Sequence, residues 1–239
     1  MKKICLLALF FHSALFSESL IPTEREQLII DHVKICIKKA EHHISQLNQE
    51  VLQVDGMSSP KVRHFLNNLC SRPDTHYLEI GCWKGSTLIS SLFNNRNTIV
   101  SAIAIDNWSN HYHNERLKDE FHANCNRFLL PDQYHFYEVD CFKITPNEVC
   151  PSPVNTYFYD GEHTALDQEL AFTYYNDRLD DVFIAVIDDW NHPPVPEGTE
   201  IAFKKLNYQV LFQQVLPARW NGDTENWWNG LYVAVIRKS

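Results

Sequence analysis

The stretch "FYDGEHTALDQE", residues 158–169, presents Asp160, Glu162 and His163 directly after a short apolar run. A carboxylate can take a proton or hold a hard cation, and an imidazole titrates near neutrality. The pair therefore suits proton transfer or metal binding. It also suits a plain turn: Asp-Gly is common turn chemistry, and Thr164 with Asp167 can cap the helix that follows. A second acidic end, Asp188 and Asp189, closes the apolar run "VFIAVIDD". Carboxylates brought together repel one another and raise a pKa unless a cation or hydrogen-bond donors relieve them.

A third stretch is "YLEIGCWKGST", residues 77–87. Gly81 lets the backbone turn sharply and approach a ligand. Gly85 lets a helix begin close to the strand, with free N–H groups toward that ligand. The spacing is E-x-G-x-x-x-G rather than G-x-G-x-x-G, and Trp83 and Lys84 fill the middle, so a pyrophosphate fits poorly.

These residues fall in an alternating pattern. Apolar runs ending near Glu79, Asp106, Asp140, Asp160 and Asp188/Asp189 read as strands, separated by helical spacing in 85–93, 114–129, 165–179 and 198–207. Two further runs, 208–216 and 230–238, close the chain around the Trp-rich loop "PARWNGDTENWWNG". Apolar strands between helices form a parallel sheet covered on both faces. Right-handed crossovers place every strand's C-terminal end on one edge, where open α/β sheets bind ligands. Acids at five successive ends exceed what solubility requires.

Three segments follow: a leader over 1–19, an N-terminal helical extension over 20–57, and the α/β domain over 58–239. The leader "MKKICLLALFFHSALFSES" has two lysines, an apolar run and small residues, the order of a signal peptide. It implies export or secretion; a cytoplasmic or membrane-anchored chain is the alternative. No later segment is apolar enough for an integral membrane span. The composition, 44% hydrophobic and 21% charged, fits one folded domain. A net charge of −9 argues against a nucleic-acid partner, since phosphate contacts need Lys and Arg. Seven cysteines without C-x-x-C spacing suggest neither a zinc ribbon nor a disulfide scaffold; Cys82 and Cys141 read as small apolar fillers.

Over residues 60–239 the chain resembles the class I S-adenosylmethionine-dependent methyltransferases. The "EIG…GxS/T" and "DGxH" loops are most similar to those of the small-molecule O-methyltransferase branch that includes macrocin- and rhamnosyl-type enzymes. The resemblance implies a Rossmann-like methyltransferase fold: a mostly parallel seven-stranded sheet with an antiparallel last strand and helices on both faces. It implies S-adenosylmethionine as cofactor and a small-molecule hydroxyl as acceptor; a homo-oligomer is left open. Its cofactor contacts would fall on Glu79, Gly81, Gly85 and Ser86, with Asp106 on the ribose and Asp140 near adenine. Trp108 is either an adenine cover or a packed aromatic. Metal-dependent members would place Mg²⁺ on Asp160, Asp188 and Asp189, and the proton on Asp160 or His163. His192 reads as a loop residue; His111 and His113 read as rim. Two alternatives stand beside this reading: a non-heme iron hydroxylase using Asp160, His163 and His192, and a secreted binding protein that keeps the fold without catalysis.

Overall fold

The computed structural model describes residues 21–109 and 114–239; the leader, His111 and His113 lie outside the described residues. The N-terminal extension is two helices, α1 (Glu24–Glu41) and α2 (Gln49–Leu52). Thr23 and Glu26 form a capping box at the start of α1, which satisfies two N–H groups the helix itself leaves free. Glu26 then reaches the far end of the chain, with Arg237 Nε and Nη2 at 2.6 and 2.5 Å from its two oxygens.

The domain proper runs α3 (Pro60–Leu69), β1 (Thr75–Ile80), α4 (Ser86–Leu92), β2 (Ile99–Asp106), α5 (Asn114–Phe128), β3 (His135–Glu138), α6 (Pro146–Val149), β4 (Val154–Tyr159), α7 (Ala165–Thr173), β5 (Leu179–Ile187), α8 (Pro194–Lys205), β6 (Gln209–Leu216) and β7 (Leu231–Arg237). The seven strands form one sheet in the order β3-β2-β1-β4-β5-β7-β6. Every pairing is parallel except those of β7, which runs antiparallel to both β5 and β6. Two apolar clusters cover its faces, one including α1, α3 and α4, the other α7 and α8. Among the described residues no helix is long and apolar enough to cross a membrane.

Three element ends differ from expectation. β3 stops at Glu138, two residues before Asp140, because Asp140 starts a turn: its carboxylate accepts from Phe142 N–H and its carbonyl from Lys143 N–H. α8 begins at Pro194 rather than near Gly198; proline fits a first helical turn, where no N–H partner is needed. The segment 165–179 holds α7 and then a short 3-10 turn, Asn176–Arg178, before β5.

Candidate active site

The parallel ladder aligns the strand ends. Ile80 pairs with Tyr159, and Tyr159 with Ile187. Beyond them, Asp160 N–H donates to Ile80 O at 2.8 Å and Asp188 N–H to Tyr159 O at 3.1 Å. Gly81, Asp160 and Asp188 therefore leave three neighbouring strands at one level. Gly81 has φ of 87°, and a Cβ there would lie 1.8 Å from Asp160 O, so only glycine permits this approach. Gly85, φ 82°, opens α4 where a Cβ would press on Phe121 and Cys125.

A cavity of about 600 Å³ opens at this edge, within the range of small-molecule sites. Gly81, Ser86, Asp106, Asp140, Asp160, His163, Asp188 and Asp189 line it; Glu79 and Gly85 do not. Glu79, expected among the cofactor contacts, lies behind that lining. It is fully buried, and its two oxygens accept from Tyr77 OH and Thr87 Oγ1, both at 2.6 Å. Burial pushes its pKa up to about 8. Its role is to tie β1 to α4.

On the β1–β2 side, Asp106 is already engaged. One oxygen accepts from Cys82 N–H and Trp83 N–H at 2.7 and 2.8 Å, the other from Trp108 N–H at 2.8 Å. A carboxylate has about four acceptor sites, so one remains for a ligand hydroxyl. Trp83 and Trp108 both have positive φ, 44° and 49°, conformations that cost energy for bulky residues and that these hydrogen bonds hold. Trp108 is 2% exposed, donates from Nε1 to Trp83 O, and packs on Phe121 and Phe136. It is chiefly the packed aromatic of the two readings, with its edge at the cavity wall. The Phe142 N–H, joined by Lys143, holds the Asp140 carboxyl below its usual range.

The β4–β5 side is different. His163 Nε2 lies 2.8 Å from Asp189 Oδ2 and 3.9 Å from Asp160 Oδ1, yet off the line a hydrogen bond requires. Donor atoms of Asp160, His163 and Asp189 fall within 4.8 Å of one another, a set that could hold a metal ion. Asp188, expected in that set, is outside it, with His163 in its place. Both residues lie beyond the end of β5, and Asp189 has a φ of 57°, so the chain turns between them and they present differently. Asp188 is 3% exposed and its Oδ1 has no hydrogen-bond partner. Enclosure pushes Asp160 up to about 7 and Asp188 well above the carboxylate range, with repulsion from Asp189 adding to both. The flanking Asp160 and Asp189 carboxylates raise His163 to about 10. His192 is outside the donor set, its ring 6.2 Å from that of His163; the ligand trio of an iron hydroxylase is not assembled.

The Trp-rich loop both braces and lines. Trp227 packs edge-on against Phe65, and Asp223, fully buried, gathers Arg219 and Asn226. Trp228 and Asn229 face the cavity, and Asn229 Nδ2 donates to Asp189 Oδ1 at 2.5 Å. Neither is among the residues that the sequence singles out for the site.

The strand order with its single reversed strand, and the site at the carboxyl edge, define the Rossmann-like methyltransferase fold. Among solved structures the chain is similar to the O-methyltransferase from Bacillus cereus in complex with SAH, with a TM-score of 0.55, 14% identity, and 92% of this chain and 94% of that one covered. It is also similar to the SAH-bound methyltransferase PaMTH1 of Podospora anserina, with a TM-score of 0.54, 11% identity and coverage of 92% and 99%. TrmN from Thermus thermophilus matches with a TM-score of 0.54 and 11% identity; there 80% of this chain spans 52% of that one. No protein-family model and no curated sequence matches the chain. At these identities the likeness is one of fold.

Proposed function

We propose that the chain is an S-adenosylmethionine-dependent methyltransferase acting on a hydroxyl of a small molecule. The observation that carries this reading is the cavity itself. One wall is a glycine turn clasped by Asp106, the other a carboxylate–imidazole cluster that can accept a proton. The SAH bound in two of the similar structures supports the same reading. When bound, the cofactor supplies a methyl group that is already electrophilic on its sulfonium. The chain must then orient the acceptor and remove its proton. Asp106, with one acceptor site left, suits a ribose hydroxyl. Asp160, with His163 beside it, takes the acceptor's proton, and Asn229 holds Asp189 in place next to them.

A divalent cation fits the same cluster. Ligand atoms of Asp160, His163 and Asp189 lie within 4.8 Å of one another, and His163 Nε2 is close to two carboxylates without a hydrogen bond, as expected of atoms aimed at a shared ion. Asp160 and Asp189 would hold Mg²⁺, with Asp188 beside them; His163 is the atypical donor for so hard a cation. A bound cation would lower the pKa of an acceptor hydroxyl and fix its position.

Calorimetry with S-adenosylmethionine, with and without Mg²⁺, tests both parts. Binding to the folded chain is expected, followed by transfer of labelled methyl to hydroxyl acceptors. Absence of binding in either condition overturns the proposal; transfer unaffected by chelator removes the cation alone.

A further inference from the structure

Acidic side chains dominate the lining of the cavity. Seven of its lining residues are carboxylates, Glu162 and Asp167 joining those already described, and among the described residues no lysine or arginine lines it. The sequence of residues 110–113, NHYH, contains neither type. The lysines nearest in sequence are engaged: Lys84 with Asp55 and Glu120, both at 2.7 Å, and Lys143 with Asp140 at 3.0 Å. Lys143 offsets Asp140, which leaves six acidic side chains against one imidazole, and the methyl donor, with one net positive charge, does not cancel them. A cleft of single sign focuses its field on whatever enters.

Two further observations point to a cationic occupant. Asp188 Oδ1 is buried and unpartnered, an acceptor still lacking a donor. Phe142 and Trp228 line the walls beside the acids, and aromatic faces attract ammonium groups; the Trp83 ring already carries Lys84 Nζ, 4.4 Å from its centroid. A phosphate or carboxylate entering the same space would lose water and meet mostly like charge, with His163 the one basic side chain on the wall among the described residues.

We propose that the acceptor carries a protonated amine as well as its hydroxyl, and that the cavity selects acceptors by charge. This rests on the methyl-transfer reading. The test is methylation of matched probes on two skeletons: glucosamine, glucose and glucuronate; dopamine, catechol and protocatechuate. Donor binding is followed separately by calorimetry. The amine is expected to exceed the acid in kcat/KM by about tenfold or more. Raising the ionic strength should narrow that ratio, and so should Glu162→Gln, which removes an exposed charge at the rim. The inference is overturned if the acid equals the amine, or if the ratio responds to neither salt nor Glu162→Gln. If the donor binds but no probe on either skeleton is methylated, the methyl-transfer reading fails and this inference with it. A wrong charge order among methylated products defeats the inference alone.

Discussion

Asp106 and Asp188 are the same residue type at the same edge of one sheet, and the fold treats them oppositely. Asp106 accepts three backbone N–H groups at 2.7–2.8 Å. Asp188 is almost wholly buried, and its Oδ1 accepts nothing. A satisfied carboxylate shapes backbone: without it, Trp83 and Trp108 would have no reason to hold positive φ. A buried unsatisfied one costs free energy in the empty protein, and such exceptions in native folds call for an explanation. The β1–β2 half of the edge is thus complete in itself, while the β4–β5 half is completed by what binds.

The contrast breaks most severely at Asp189, which touches both His163 and Asn229. Asp189→Ala should lower methyl transfer about 10²–10⁴-fold while the circular dichroism spectrum keeps its native form. Transfer retained within about tenfold would move the chemical centre elsewhere. Asp106→Ala comes next. Donor affinity should weaken by about 1–3 kcal/mol, read by calorimetry. Hydrogen exchange at Cys82, Trp83 and Trp108 should accelerate with it. Faster exchange at unchanged affinity would make Asp106 a shaper of backbone only, and would sharpen the contrast further.

A third carboxylate serves as a control far from the edge. Arg237, with Thr23, holds Glu26 down at about 2, below its usual 4.5. A depressed carboxylate pKa adds stability that is complete above the unfolded value and is lost as pH falls through the folded one. The pair should therefore contribute fully above about pH 4.5 and fade toward pH 2. Asp160 has the opposite sign: its raised pKa favours the folded state at low pH and disfavours it as pH climbs toward 7. Arg237→Gln should cost about 1–2 kcal/mol near neutrality and flatten the loss between pH 4.5 and 2. An unaltered acid limb in thermal melts would show that the α1–β7 clamp contributes nothing.

Much of this was legible in the chain. Alternating apolar runs and helical spacing fix a parallel sheet, and parallel strands put their acids on one edge; Asp160, Asp188 and Asp189 all line that edge for this topological reason, while only Asp160 and Asp189 of the three fall in the donor set. The inward position of Glu79 follows from the same alternation. It sits inside the ladder between Ala104 and Phe158, sharing a face with Tyr77, so it points at α4 and not at the ligand edge. Asn229 was not legible. It reaches Asp189 across 40 residues of sequence, through a loop whose course depends on buried Asp223 and on Trp227 finding Phe65. Nor could spacing foretell that Asp106 would spend most of its acceptor capacity on backbone. That follows from positive φ at two tryptophans, which no propensity favours.

The smallest effect carries the comparison furthest. Asp188→Asn removes a carboxylate that is buried, repelled by Asp160 and Asp189, and short of one hydrogen bond. The amide keeps the shape and brings a donor. In the ligand-free protein the substitution should therefore leave stability within about 1 kcal/mol, with the change on the favourable side. The corresponding Asp106→Asn should destabilise, because an amide nitrogen facing backbone N–H groups cannot accept. Thermal melts of the two variants side by side decide the matter. If Asp188→Asn is the more destabilising, Asp188 belongs to the scaffold as Asp106 does, and the β4–β5 half loses its character as an unfinished site. If it is neutral or stabilising while transfer falls, the same carboxylate that weakens the empty fold is the one the bound state uses.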